Sequence, residues 1–402
     1  MKNILLFSNH RQAFTDSDGL PQQRKHNLVR IGLPFLLSTL GLCYTGCTPD
    51  KSAAPVVPVR LNDVVPLEEL NKILVIDSVI PIRIGDSCGI THPNKVIYHG
   101  QNLYLNHWQS IYKYNIKEGS FQQIINQVGH ASNEYTHIDD YNLDDEQQIY
   151  LLNSSEGKVL VFDNEGKYLR TIRKVTGGNS LAILPDKGFA IAASHLNRES
   201  LVTAYSPDGQ TLYATPPTEF TINFNTMTKG NILAHGVDEY IFSTQFDNSI
   251  YCTKNAQPSI LVTFDYGDKN SDLEEAASAV DFSKGMVNLD KLYKKVSFTD
   301  YFCLYKQYLT FRAGQYVIIY DTEQQTAIAP SQIPYPYNLL FHEPLAVSPE
   351  GNFCIAIGPH DVKQILESDA SKNVSYFTHT AAEYEDNDVS LVLGHFKVRD
   401  KE

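Results

Sequence analysis

Cys47 is the residue whose chemistry the sequence specifies best. It closes the run Val-Arg-Ile-Gly-Leu-Pro-Phe-Leu-Leu-Ser-Thr-Leu-Gly-Leu-Cys-Tyr-Thr-Gly-Cys, residues 29–47. A basic cluster (Arg24, Lys25, His26, Arg30) precedes the apolar stretch Ile31–Leu42, and small Thr45 and Gly46 lead into the cysteine. That is the layout of an export signal with a cysteine at the cleavage point, where the thiol can accept a lipid. The apolar stretch is about a dozen residues and is interrupted by Pro34 and Gly41, whereas a membrane-spanning helix needs roughly 20. Cleavage by an ordinary signal peptidase, or a buried helix, are the alternatives.

Other groups could do chemistry, each with a plainer reading beside it. Trp108, the only tryptophan, sits in Asn106-His107-Trp108-Gln109, a hairpin tip by pattern, where its ring could stack on a sugar or pack on its surroundings. His130 and His137 flank Glu134 with the odd spacing of seven, which on a strand puts them on opposite faces. They read as separate polar loop residues rather than metal ligands. The carboxylate pairs Asp139/Asp140 and Asp144/Asp145 adjoin strand ends and read as solvated loops. No Gly-x-Ser-x-Gly elbow, His-Glu-x-x-His or P-loop occurs. No Cys-x-x-Cys exists among the six cysteines, so neither a zinc ribbon nor a dithiol redox pair is supported. Cys88, Cys252, Cys303 and Cys354 read as small buried hydrophobes, with a disulfide as the alternative.

Tyr44-Thr45-Gly46-Cys47 resembles a bacterial lipobox, in which the cysteine becomes the lipidated first residue of the mature chain. Residues 1–46 are therefore read as a lipoprotein signal region, with 1–23 ascribed to a start codon placed too far upstream and a functional extension as the alternative. Residues 47–71, opening Cys-Thr-Pro-Asp-Lys-Ser-Ala-Ala-Pro, are read as an extended tether. The formal charge is −13, and residues 1–46 hold five Lys/Arg and two Asp/Glu, which leaves about −16 for the rest. That balance disfavours nucleic acid or anionic lipid headgroups as partners.

The remaining body is rich in Tyr (24) and Phe (19) and breaks into short β-branched runs bounded by Gly, Pro, Asn or Asp. Ile-Tyr-Lys-Tyr (111–114), Val-Leu-Val-Phe (159–162), Val-Thr-Ala-Tyr (202–205) and Ile-Tyr-Cys-Thr (250–253) follow one another at offsets of 48, 43 and 48, and Val-Ile-Ile-Tyr (317–320) follows 67 later. A period of 40 to 50 with four strands per unit predicts propeller blades. Asp163-Asn-Glu-Gly166, Pro185-Asp-Lys-Gly188, Pro207-Asp-Gly209 and Pro349-Glu-Gly351 predict hairpin turns with Gly accepting positive φ. The expected architecture is all-β: a six-bladed β-propeller over 72–398, with seven blades as the alternative. A helical insertion is expected at about 266–298, built on Asp272–Val280 and Leu289–Lys295, and a short helix at Asp361–Ser368. Ring closure should pair Ile73–Ile84 with Val389–Lys397.

Gly129-His-Ala-Ser-Asn-Glu-Tyr135, Ile138-Asp-Asp-Tyr-Asn-Leu-Asp144, Ile149-Tyr-Leu-Leu152 and Lys158–Leu169 together are similar to an NHL-type blade. The whole more closely resembles the six-bladed β-propeller lipoproteins of Bacteroidota. The resemblance places Glu134 and Tyr135 where a blade's first strand enters from the central channel. They would contact a ligand there, or form a blade-to-blade bond with the Tyr ring packed.

The expected function is a lipid-anchored binding scaffold of the cell envelope, held to the membrane through Cys47, with a glycan, peptide or protein as ligand. Trp108, Glu134, Tyr135 and His137 are its candidate contacts. The alternative is a metal-dependent hydrolase or lyase with its site in the channel. No cofactor is expected, Ca²⁺ being the exception that alternative would bring.

Overall fold

The computed structural model describes residues 54–397 apart from 62, 83–92, 194–199, 216–228, 236–238, 255–256, 280–293, 297, 331, 334–338, 341–343, 359–361, 363–382 and 385–388. Cys47 and Cys88 lie outside them, as do residues 289–293 of Leu289–Lys295 and all of Asp361–Ser368 but Val362. The chain enters through β1 (Val56–Pro58), α1 (Leu67–Leu70) and β2 (Leu74–Ile82). Blade one is β3 (Lys95–His99), β4 (Asn102–His107), β5 (Ser110–Asn115) and β6 (Ser120–Ile125). Blade two is β7 (Asp140–Leu143), β8 (Ile149–Asn153), β9 (Lys158–Phe162) and β10 (Tyr168–Arg173). Blade three is β11 (Ser180–Ile183), β12 (Phe189–Ala192), β13 (Val202–Tyr205) and β14 (Thr211–Ala214). Blade four is β15 (Ile232–Ala234), β16 (Glu239–Ser243), β17 (Ser249–Lys254) and β18 (Gln257–Asp265), followed by α2 (Leu273–Ala279). Blade five is β19 (Thr299–Tyr305), β20 (Tyr308–Ala313), β21 (Tyr316–Asp321) and β22 (Thr326–Ile328). A two-stranded ladder of β23 (Gln332–Ile333) and β24 (Leu339–Leu340) precedes blade six, which is β25 (Ala346–Val347), β26 (Asn352–Ile357), β27 (Val389–Phe396) and, outermost, β2.

The chain is thus a six-bladed β-propeller, and the five repeated runs are the third strands of blades one to five. Ring closure follows the expected pairing: β2 is antiparallel to β27 from Leu74↔Phe396 to Ile82↔Val389, and Tyr384 Oη donates to Val79 O at 2.7 Å. Among the described residues the core consists of six apolar clusters, each filled from two neighbouring blades. A single four-stranded blade would leave both faces in water, so the ring is what buries them. The helix expected at 272–280 is α2, with Glu275 N donating to Asp272 Oδ1 at 2.7 Å as an N-cap.

Two expectations need correction. The segment read as an extended tether, 47–71, joins the body from its middle onward. β1 adds to the outer edge of blade four in parallel with Thr263–Asp265, and Val57 and Val59 are buried between blades four and five. Val65 and Leu70 are buried between blades five and six. Proline is tolerated on an edge strand because no neighbour needs its missing N–H, so a Pro-rich composition did not forbid this. In the turn Pro185–Gly188, Lys187 rather than the glycine takes the left-handed conformation (φ 65°). Gly188 is there for space: a Cβ would sit 2.8 Å from Tyr205 O.

Candidate functional site

The inner strands β3, β7, β11, β15, β19 and β25 surround a central channel. A cavity of about 340 Å³ runs along it, lined by residues of blades one, two, four, five and six. Its wall is mainly aliphatic and aromatic, with Ile97, Leu233, Phe302 and Leu304 among the residues that face it. That volume lies at the small end of the range for small-molecule sites, about 300–1,000 Å³.

At the end where the inner strands begin, buried polar side chains stitch blade to blade. Lys95 Nζ donates to Asp140 Oδ1 and to Tyr141 O, both at 2.8 Å. The other oxygen of Asp140 accepts from Leu181 N of blade three at 2.8 Å. Ser180 Oγ accepts from Asn231 N of blade four at 3.2 Å, and Ser243 Oγ donates to Thr299 O of blade five at 2.7 Å. Asp300, fully buried, is gripped by Arg312 through Nε (2.9 Å) and Nη2 (2.8 Å). Burial pushes its carboxyl up to about 6 against the pull of Arg312. Burial also lowers the Lys229 ammonium, with Asp140, Lys95 and Asp139 nearby. Tyr301, at φ 55°, crosses the channel mouth: its hydroxyl donates to Asn94 O of blade one and the Arg312 guanidinium stacks 4.7 Å from its ring.

This end opens on the face that carries Trp108, because β4 runs antiparallel to β3 and pairs Asn106 with Lys95. The four glycine-containing turns join first to second or third to fourth strands and so lie on the opposite face. Trp108 is 77% exposed at the β4–β5 tip, in the left-handed conformation (φ 51°). Asn106 Nδ2 donates to Trp108 O (3.2 Å) and Ser110 O (3.1 Å). Gln109 Nε2 donates to Thr136 O (3.0 Å), and Tyr135 Oη donates to Gln109 O (2.5 Å). The two neighbours of Thr136 are Tyr135 and His137, so this lock draws together Trp108, Tyr135 and His137, three of the residues singled out by type.

Their roles divide. Tyr135 is fully buried in the cluster between blades one and two, out of reach of a ligand, and desolvation raises its hydroxyl pKa. Glu134 turns back on its own loop, where Oε2 accepts from Ala131 N at 2.9 Å. His137 is exposed, with Nε2 3.9 Å from Asp139 Oδ1. His130 pairs separately with Glu156 Oε1 at 3.1 Å, and Lys158 holds the other oxygen of Glu156.

Of the four carboxylates read as solvated loops, Asp145 is exposed and Asp139 half-buried, but the reading is corrected for the other two: Asp140 is 0% and Asp144 5% exposed. Asp140 neutralises Lys95, and Asp144 Oδ1 caps the β7–β8 turn through Glu146 N and Gln148 N. The sequence reading passed over Lys95, Lys229, Tyr301 and the Asp300–Arg312 pair. The available signal was a charge opening an otherwise apolar strand in Lys95-Val-Ile-Tyr98. Cys252, Cys303 and Cys354 form no disulfide with one another. Among the described residues no three His, Cys, Asp or Glu side chains are grouped to hold a metal ion, and no helix is long and apolar enough to cross a membrane.

A solved protein of Bacteroides fragilis, named "Putative exported protein", is similar over 85% of this chain and 100% of its own, with a TM-score of 0.63 and 16% identity. A DUF4221 family member from Bacteroides vulgatus gives a TM-score of 0.48 at 11% identity over 82% of this chain and 99% of that one. Virginiamycin B lyase from Staphylococcus aureus gives 0.41 at 8% identity over 69% and 80%. No curated protein matches the chain. The model of a domain of unknown function, DUF4934, matches residues 77–392, nearly the whole propeller from its closing strand onward, and the chain belongs to that family.

Proposed function

We propose that the chain works outside the cytoplasm as a lipid-anchored binding scaffold, with its ligand taken on the propeller face that carries Trp108. The observation that carries this reading is the state of Trp108: its ring stands in solvent while hydrogen bonds from Asn106 and to its neighbour Gln109 fix its backbone. A non-glycine residue in the left-handed region is strained, and a rigid exposed aromatic is a preorganised platform for a sugar ring or an apolar peptide side chain. His137, exposed on the loop that Gln109 binds, supplies a polar group on the same face. Tyr135 acts as a positioning residue through Gln109. The export-type segment ending in Cys47, the resemblance to propeller lipoproteins and the exported protein of similar fold support the location.

Because Trp108 is the only tryptophan, its fluorescence reports on this face alone. Titration with neutral oligosaccharides and with a mixed peptide pool should shift the emission and protect it from acrylamide. A partner that binds the protein with no change in that emission would overturn the reading. For the anchor, Cys47→Ala should release the protein from membranes, and unchanged fractionation would refute it.

A further inference from the structure

The rim of blade four carries an exposed, uncharged stretch that ends in two apolar residues. The first five residues of β18, Gln257-Pro-Ser-Ile-Leu261, are all exposed. Ile260 and Leu261 turn outward together because the register slips there: Ile250 pairs with Val262 and Tyr251 with Ile260, which leaves Leu261 as the extra residue of a bulge. β1 covers only Thr263–Asp265 of this strand. Val56 on β1 is 65% exposed, and Leu212, on the outermost strand of blade three, is 55% exposed. In a chain of formal charge −13, such an edge is suited to an uncharged apolar partner.

The covalent chain indicates which partner. Cys47 precedes Val56 by nine residues. Nine residues extend at most about 30 Å, so a lipid on Cys47 keeps the rim of blade four within that distance of the membrane. A tether as long as 47–71 would leave orientation free, but β1 fixes the chain to this edge from Val56. We propose that Ile260, Leu261 and Val56 rest on the lipid bilayer that holds the Cys47 lipid, so that the propeller stands on the rim of blade four with the Trp108 face turned sideways. The inference rests on the anchored reading above.

The test is hydrogen exchange of the full lipidated chain on vesicles of phosphatidylethanolamine and phosphatidylcholine, which carry no net charge, compared with the Cys47→Ala protein in solution. The expected result is exchange at least tenfold slower at 257–261 on vesicles. Ile260→Asp/Leu261→Asp should abolish that protection while the protein still floats with the vesicles and β2–β27 exchange stays unchanged, which shows the fold intact. A lipidated chain with unprotected 257–261 overturns this inference alone. Protection in the free protein that grows with concentration also overturns it, because a second copy then covers the edge. A wild-type chain with no lipid mass at Cys47 overturns the anchored reading and this inference with it.

Discussion

Lys95 Nζ lies 2.8 Å from Asp140 Oδ1, and the two side chains are 9% and 0% exposed at the first positions of adjacent inner strands. The pair joins blade one to blade two at the channel mouth, and Asp140 passes the connection to Leu181 N of blade three. Removing one partner of a buried pair leaves an uncompensated charge, which costs about 3–5 kcal/mol, whereas replacing both with apolar groups is often neutral. Asp140→Ala should therefore destabilise the propeller by roughly that amount in urea unfolding. Lys95→Met combined with Asp140→Leu should recover most of it. Equal losses in the single and double variants would show that the bond to Leu181, not the ion pair, holds this joint.

Asp300 should give the protein a measurable pH dependence. Its carboxyl sits at about 6 in the folded chain because of burial, above the ordinary 3.8 that applies when unfolded. Between those values the folded state binds the extra proton, so this contribution is fully present below about pH 4 and is lost as pH rises through 6. Asp300→Asn should remove it, and the stability difference between variant and wild type should change by up to ~3 kcal/mol between pH 4 and pH 7. A parallel pair of stability curves would show that Arg312 cancels the cost of burial.

Tyr135→Phe keeps the buried ring and deletes the hydrogen bond to Gln109 O. Loss of about 1 kcal/mol is expected, with lower fluorescence anisotropy of Trp108 as its hairpin loosens. Trp108→Ala should change stability by less than about 0.5 kcal/mol, as for other exposed sites, and abolish any binding on that face. A large stability loss in Trp108→Ala would assign the ring a packing role.

Gly394 in β27 lies between the closing strand β2 and Phe353 of β26. A Cβ there would meet Val75 O at 2.1 Å and Phe353 Cζ at 2.4 Å. Overpacking of a filled site costs typically 1–3 kcal/mol. Gly394→Ala should lower the unfolding midpoint accordingly and speed hydrogen exchange in β2 before the other blades.

Sequence pattern was enough for what depends on local chemistry. Strand runs such as Asn102–Asn106 and Lys158–Phe162, the glycine-containing turns, the blade period and the closing partner of Leu74–Ile82 all follow from β-branched alternation, turn residues and spacing. The export-type segment ending in Cys47 is equally a property of contiguous residues. Only the tertiary structure decided what depends on residues far apart. Lys95 meets Asp140 across 45 positions, and Tyr301 reaches Asn94 across 207. Asp140 looked solvated because a strand end in sequence does not reveal that it points into a ring. For Tyr135 the sequence left a ligand contact and a packed blade-to-blade bond both open, and burial set by the neighbouring blade decided for the second. The 54–71 segment looked like a tether because its packing depends on blade edges completed two hundred residues later. Local periodicity fixes the shape of a blade, but a closed ring assigns each polar side chain to solvent, to a neighbour or to the channel only once all six blades are in place.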